Sequence, residues 1–552
     1  MTQTAAAVRS GRGPRWRFLA LAAVAGIITA GVLLAVAELI ALLVARTASP
    51  VLALGSFVVD VVPRPVKEFA ITTFGENDKV FLLGGIGVAV IVAAALAGAL
   101  QLVRPPLGQA VLVLAGALSI AAIVTRAGAT ALSAVPTLAG LVVAVVVLHL
   151  LIGRLRRWRD AAGSQARGSV SQGRPTARAG ASEPRSTVPD SDSRTAGLQR
   201  RGFFRVAGIA AVGAIVVGTG ARLVNAATSS LASVREALRL PSPRTSVAVP
   251  AGAELDIDGL TPLYTPNAEF YRVDTALTVP SVDPSTWALK VTGMVDREVT
   301  LTFQQLLDMG VDEYGVTLTC VSNEVGGGLV GNAKWLGVPI RDVLAMAGVQ
   351  GGADMVLSRS VDGYTASTPL ASLTDDGLDA ILAIGMNGEP LPLEHGFPVR
   401  MVVPGLYGYV SATKWLTELK VTTFAADEAY WTPRGYSAEA PIKMSSRIDT
   451  PRIDAAIPAG PTKIAGMAWA QTVGVAKVEV SIDDGDWQEA VLSTPVNVDT
   501  WVQWYLDWQA ESGAHYVAVR ATDADGTLQI EDRAPIAPNG SSGWQRTLIR
   551  VS

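Results

Sequence analysis

The chain has 552 residues, too many for one ordinary domain, with a net charge of −3 and a positive mean hydropathy. Near-neutrality removes any bulk electrostatic case for nucleic acid, and the hydropathy requires a lipid bilayer to explain it. One cysteine, Cys320, excludes internal disulfides and cysteine-rich clusters, and three scattered histidines (His149, His395, His515) argue against a multi-histidine centre, so any metal must bring most of its ligands with it.

Four apolar runs come first, at 18–44, 80–103, 107–125 and 132–152, each near or above the length of a membrane-crossing helix. A fifth, 203–224, is weaker, rich in Gly and Ala and interrupted by Arg205. Basic residues flank the first run (Arg9, Arg12, Arg15, Arg17) and follow the fourth (Arg154, Arg156, Arg157, Arg159), which puts those ends in the cytoplasm. The loop carrying Arg46, Arg64, Lys67 and Lys79 obeys that rule less cleanly. Five crossings then leave everything after about residue 225 outside the cytoplasm. Glu38 is either a functional intramembrane acid or an interfacial one, and His149 reads as interfacial because no second histidine shares its depth for haem.

Residues 1–152 are thus expected to be a four-helix transmembrane region, 153–201 a disordered basic cytoplasmic linker, and 202–225 a fifth transmembrane helix. The linker is rich in Ser, Arg, Gly, Ala and Pro, with too few large apolar residues to offset chain entropy. The stretch Gln199-Arg200-Arg201-Gly202-Phe203-Phe204-Arg205 resembles a twin-arginine export signal, used by proteins exported already folded; two further positive-inside arginines are the other reading.

From residue 240 short β-rich runs alternate with turn residues, at 287–292, 355–358, 399–403 and 415–421. Helical spacing at 302–309 and 339–347 makes 240–440 a mixed α+β domain. Beyond about 441 strands continue without helices, as in the alternating run 477–483 and at 516–521, which fits a β-sandwich of immunoglobulin type over 441–552.

Cys320 ends an apolar strand and precedes Gly326-Gly327-Gly328. Alone, such a cysteine is either a buried small hydrophobe or a thiolate for a soft metal or nucleophilic attack. Its surroundings are more specific. Cys320-Val-Ser-Asn323, then Gly331-Asn-Ala-Lys-Trp335-Leu-Gly337-Val-Pro339, then Leu391-Pro-Leu-Glu-His395-Gly-Phe-Pro398-Val-Arg400, then Lys414-Trp415-Leu416, resemble in order and spacing the successive motifs of the sulfite oxidase superfamily. Ser446-Arg-Ile-Asp449, the run 477–483 and Val519-Arg-Ala-Thr-Asp523 are similar to the immunoglobulin-like, dimerisation-type domain that follows the molybdenum domain there. The resemblance covers about 247–552.

The resemblance implies a molybdenum–molybdopterin cofactor with Cys320 as the protein's metal ligand. It implies cofactor-binding roles for Tyr271, Arg272, Asn323, Ser360, His395, Arg400 and Lys414, with weaker backbone candidates at 411–413. Tyr364 resembles the active-site tyrosine beside the metal, and Arg272 an arginine that attracts an anionic substrate. The family follows Cys-x-x-Asn with a basic residue, whereas this chain has Glu324, which would repel sulfite or nitrate and tolerate a neutral sulfoxide. The expected partners are a small oxo-anion or sulfoxide, a separate electron carrier (a quinone, a cytochrome or a membrane partner), the lipid bilayer and a second copy of the chain. The other function class is a catalytically inactive membrane protein using the same fold as a docking module.

Overall fold

The computed structural model describes residues 15–44, 78–124, 131–171, 191–228, 231–276, 279–452 and 456–552. The chain forms two compact units, Met1–Ser229 and Ser230–Ser552.

The first unit contains helices α1 (Arg15–Val44), α2 (Asp78–Val103), α3 (Leu107–Val124), α4 (Val135–Ser171) and α5 (Ser191–Thr228). Four described stretches are long and apolar enough to cross a membrane: Trp16–Ala41, Gly84–Val103, Leu107–Val124 and Leu132–Ala162. Where α1 meets α2, a Cβ on Gly26 would strike the carbonyl of Ala94, and one on Gly98 that of Ala22. Only glycine lets the two backbones touch, the usual way apolar helices gain dispersion contact in lipid. Val88, Ile91, Val92 and Leu96 point outward instead. His149 is also exposed, while Leu148 and Leu151 beside it are buried.

One expectation changes here. The run 203–224 lies within α5, whose side chains beyond 217 fall outside the described residues, so the four crossing-competent stretches come from the other helices. The linker expected to be disordered is helical at both ends, since α4 runs on to Ser171 and α5 starts at Ser191. A shortage of large apolar residues limits tertiary burial but does not stop an existing helix from continuing through Arg and Ala, which favour helix. The extension is also tied down: Arg156 donates to the Gln101 carbonyl, and Trp158 packs edge-on to Phe18 at 5.3 Å. Residues 172–190, and the basic residues Arg9, Arg12, Arg46, Arg64 and Lys67, lie outside the described residues.

The second unit opens with α6 (Leu231–Ala237) and builds two sheets. The first joins β1 (Ala288–Gly293), β2 (Val299–Thr302), β5 (Met355–Ser360), β6 (Thr365–Pro369) and β10 (Leu416–Thr422) in the order β2-β1-β10-β5-β6, with β1 and β10 parallel. The second joins β3 (Asp312–Thr319), β4 (Val330–Pro339), β7 (Ile381–Met386) and β8 (Glu389–Pro390) in that order, with β9 (Arg400–Val402) on β7. Short helices α7 (Phe303–Asp308), α8 (Ile340–Ala347), α9 (Leu370–Thr374) and α10 (Gly408–Ser411) lie between strands. α7 starts at a capping box, Thr302 with Gln305, and α8 buries Ile340, Val343, Leu344 and Ala347, the one-face spacing of an amphipathic helix. Each buried aliphatic side chain of this kind contributes about 1.5–3 kcal/mol.

The C-terminal part is β-rich, again in two sheets. One joins β11 (Ser445–Thr450), β13 (Gly460–Trp469), β17 (Val502–Ala510) and β16 (Val491–Leu492). The other joins β12 (Ala456–Ile457), β19 (Gln545–Val551), β18 (Gly513–Asp523), β14 (Val475–Ile482) and β15 (Gln488–Glu489). Alternate residues of both sheets, including Ile464, Val478, Val480, Trp504, Val517 and Val519, share one core.

Candidate functional site

β3 is buried from Gly315 onward and delivers Cys320 to the floor of a cleft enclosing about 930 Å³ between protein atoms, counted out to the solvent at its mouth. A closed loop follows. The amide of Cys320 donates to the Leu329 carbonyl at 2.9 Å, and the Asn323 amide donates to the Cys320 carbonyl at 3.0 Å. Sγ accepts from the Ser322 amide at 3.4 Å. Burial pushes the Cys320 thiol up, opposed by that amide and by the charge of Lys414.

Cations approach the cleft from the start of β9 and from the segment just before β10. His395 ends a 3₁₀ turn closed by Gly396, which must be glycine because its φ is +114° and an added Cβ would lie 3.0 Å from that of Arg400 and 3.2 Å from that of Lys414. Arg400 is buried and donates only to backbone carbonyls, those of Met401 (3.2 Å), His395 (3.1 Å) and Ala412 (3.5 Å). It lies over the Trp335 ring at 5.0 Å and has no carboxylate partner among the described residues. Burial pushes its guanidinium down to about 10. Lys414 donates to Asp274 Oδ2 at 2.8 Å and to the Glu394 carbonyl at 3.1 Å, and burial pulls it down to about 8 against the pull of Asp274. His395 is pushed down to about 4 by burial, then by Arg400 and Lys414, so it is neutral at pH 7. Its Nε2 pairs with the Asn267 carbonyl at 3.2 Å, which assigns the proton to Nε2 and leaves Nδ1 an acceptor.

Tyr271 stacks on Phe270 at 5.2 Å, and Tyr364 donates to the Tyr409 carbonyl at 2.7 Å. Burial raises both phenols well above their ordinary value, so neither ionises near neutrality. Ser360 is buried on the cleft wall, and its hydroxyl has no hydrogen-bond partner among the described residues.

Cys320, Tyr271, Ser360, Tyr364, His395, Arg400 and Lys414 therefore share one cleft. Three residues do not join them. Asn323 turns its Oδ1 to the Leu329 amide at 2.9 Å, so it closes the cysteine loop instead of lining the cleft. Arg272 is exposed and pairs with Asp274 at 2.9 Å, outside the lining. Glu324 is exposed and also outside the lining. Asp274, Asp362, Tyr409, Trp431 and Tyr436 line the cleft without having been singled out. The only local signal for them was an acid two residues from Arg272 and another two from Tyr364.

A buried guanidinium without a carboxylate and a buried hydroxyl without a partner are costly unless a polar, anionic ligand satisfies them. A thiol in the same cleft adds a soft metal ligand. This donor set fits a metal-bearing cofactor that carries a phosphate.

A model of the oxidoreductase molybdopterin binding domain matches residues 276–431. Mitochondrial sulfite oxidase of Mus musculus is 32% identical over 368 residues, covering 57% of this chain and 66% of the mouse protein. Sulfite oxidase of Gallus gallus is 30% identical, covering 54% of this chain and 75% of the chicken protein. Nitrate reductase [NAD(P)H] of Hordeum vulgare is 30% identical over 311 residues, covering 44% of this chain and 34% of its own. Among solved structures, sulfane dehydrogenase SoxCD from Paracoccus pantotrophus is similar with a TM-score of 0.47 and 22% identity, over 57% of this chain and 94% of that one. The chain spans about two thirds of the length of the mammalian relatives it matches. Fold and site thus define a molybdopterin oxidoreductase of the sulfite oxidase and nitrate reductase type. The chain belongs to the sulfite oxidase superfamily, and its cofactor is molybdenum–molybdopterin.

Proposed function

We propose that this chain is a membrane-anchored, extracytoplasmic oxidoreductase that transfers an oxygen atom to or from a small sulfur or nitrogen oxo compound and exchanges electrons with a separate carrier. One observation carries the reading: a single cleft holds the chain's only thiol, a buried guanidinium without a carboxylate and a buried hydroxyl without a partner. Cys320 would give the metal its protein thiolate. Arg400 and Lys414 would hold the phosphate and pterin, with a rigid fork and a compact charge respectively. His395 would offer Nδ1 to a ring N–H, and Ser360 its hydroxyl. The group, when bound, supplies the oxygen-atom transfer and the two-electron change. The chain's own residues orient it and exclude water, and Tyr364 keeps its proton at the cleft wall.

Four crossings that start in the cytoplasm return the chain there, and α5, with its Arg200-Arg201 pair, leads out. Residues 240–440 are assigned to the catalytic domain and 441–552 to an immunoglobulin-like domain through which two copies pair. The test is metal analysis of the full-length protein. It should hold about one molybdenum per chain, and Cys320→Ser should lose it. A properly folded, cofactor-matured preparation without molybdenum would refute the assignment.

A further inference from the structure

The lining of the cleft is chemically divided. Arg400, Lys414 and neutral His395 make up one part, joined where Arg400 donates to the His395 carbonyl and Lys414 to that of Glu394. The other is aromatic and carries no cation: Tyr364, Tyr409, Trp431 and Tyr436. The rings support one another, Tyr409 against Tyr436 at 5.6 Å and Trp431 against Tyr436 at 5.2 Å. Cys320 lies within electrostatic reach of both parts, influenced by Lys414 and acting in turn on Tyr364.

Three further observations bear on what the aromatic part accepts. Arg434 is the basic residue behind it, but its guanidinium is stacked 3.7 Å over the Tyr430 ring and donates to the Tyr430 carbonyl at 2.6 Å, outside the lining. Asp362 does line the cleft, with its carboxylate engaged by the Tyr364 amide (3.2 Å) and the Thr275 hydroxyl (3.4 Å) and by no cation among the described residues. Val273, 48% exposed, adds apolar surface to the lining. An anion would meet an uncompensated carboxylate and no unclaimed cation. An alkyl or aryl group would meet ring faces.

We infer that the wall of Tyr364, Tyr409, Trp431 and Tyr436 is the substrate subsite and that it takes an uncharged organic sulfoxide, or the corresponding thioether, in preference to an inorganic oxyanion. This rests on the oxidoreductase reading above. In the reducing direction the couple is R₂SO + 2 H⁺ + 2 e⁻ → R₂S + H₂O. The sulfur–oxygen bond breaks, the oxygen leaves as water with two protons from solvent, and a reduced one-electron carrier supplies the electrons in two steps.

The test uses the full-length, molybdenum-loaded protein in detergent. Calorimetry compares methyl phenyl sulfone, an inert uncharged analogue, with sulfate. Turnover compares methyl phenyl sulfoxide and nitrate with reduced viologen, and sulfite with ferricyanide. The sulfone should bind at least about tenfold more tightly than sulfate, because one well-fitted apolar group discriminates by that much. Trp431→Ala, at unchanged molybdenum content, should raise KM for the sulfoxide about tenfold or more with a smaller change in kcat, and Trp431→Phe should recover most of the loss. Asp362→Asn should strengthen sulfate binding. Tighter binding of sulfate than sulfone, a higher kcat/KM for sulfite or nitrate than for the sulfoxide, or an unchanged KM in a fully loaded Trp431→Ala protein each overturn the inference while leaving the oxidoreductase reading intact. No turnover of any of the three substrates by loaded protein removes both.

Discussion

Arg447 of β11 donates from Nη1 to the carbonyl oxygen of Gly327, 3.0 Å away, in the loop that follows Cys320. Its other nitrogens are fixed on Asp449 (2.6 Å) and Thr261 (3.0 Å), so the guanidinium is a rigid bracket. Ser541 adds a second hold, donating to the Asn323 carbonyl at 2.6 Å. The C-terminal β region therefore braces the loop that carries the thiol.

Arg447→Ala is expected to loosen that loop at a cost of about 1.5–3 kcal/mol, the range for hydrogen bonds to charged groups. Molybdenum per chain and melting temperature should fall together. Arg447→Lys should recover only part of both, because an ammonium cannot serve three fixed acceptors in the same plane.

Arg400 gives a prediction whose sign depends on loading. Without cofactor it is a buried cation facing only carbonyls and the Trp335 ring. Arg400→Met should stabilise the cofactor-free protein by about 1–3 kcal/mol, since removing a buried, uncompensated charge relieves its desolvation. The same change should weaken cofactor retention at least about tenfold, since it deletes a fork for a charged ligand. Thermal melts of both forms and pterin content after dialysis read the two effects.

His395 sets a pH dependence. Its folded value of about 4 lies below the ordinary 6.5, so between those pH values the unfolded chain binds the proton and the folded one does not. Stability from this group is fully present above about pH 6.5 and is lost as pH falls toward 4, by on the order of 3 kcal/mol. His395→Gln should flatten that part of the profile, measured as the difference in melting temperature between wild type and variant at pH 7.5 and 4.5.

The α1–α2 contact is testable by glycine position. Gly98→Val should destabilise the solubilised bundle, because a side chain there meets the Ala22 carbonyl and the Gly26 backbone. Gly87→Ala, with nothing within 4 Å of its Cβ, should be neutral or slightly stabilising, since alanine is the better helix former by about 1 kcal/mol. Melting in detergent distinguishes them.

Much of this was written locally. The helical spacing at 302–309 and 339–347 acts over a few residues, so it located α7 and α8 within a residue or so. Cys320, His395, Arg400, Lys414 and Tyr364 sit in contiguous motifs and come together in the cleft. Arg272 and Glu324 lie outside the lining of the cleft. Around Arg272 the chain is extended, and sequence neighbours in such a segment point to opposite sides. Arg272 is turned outward and Tyr271 inward. The aromatic wall was invisible because Tyr364, Tyr409, Trp431 and Tyr436 come from separate segments that only the tertiary fold assembles. The helical ends of the linker were missed because composition was asked about burial, whereas a helix already under way needs only local propensity to continue.

The lack of a carboxylate beside Arg400 has a bearing on maturation. A cleft whose guanidinium gains a counter-charge only with its cofactor makes the empty protein softer than the filled one, since a ligand that binds only the native state adds its binding free energy to stability. Folding strength then reports occupancy. Any protease or export gate that discriminates by rigidity would sort filled chains from empty ones without recognising the pterin at all.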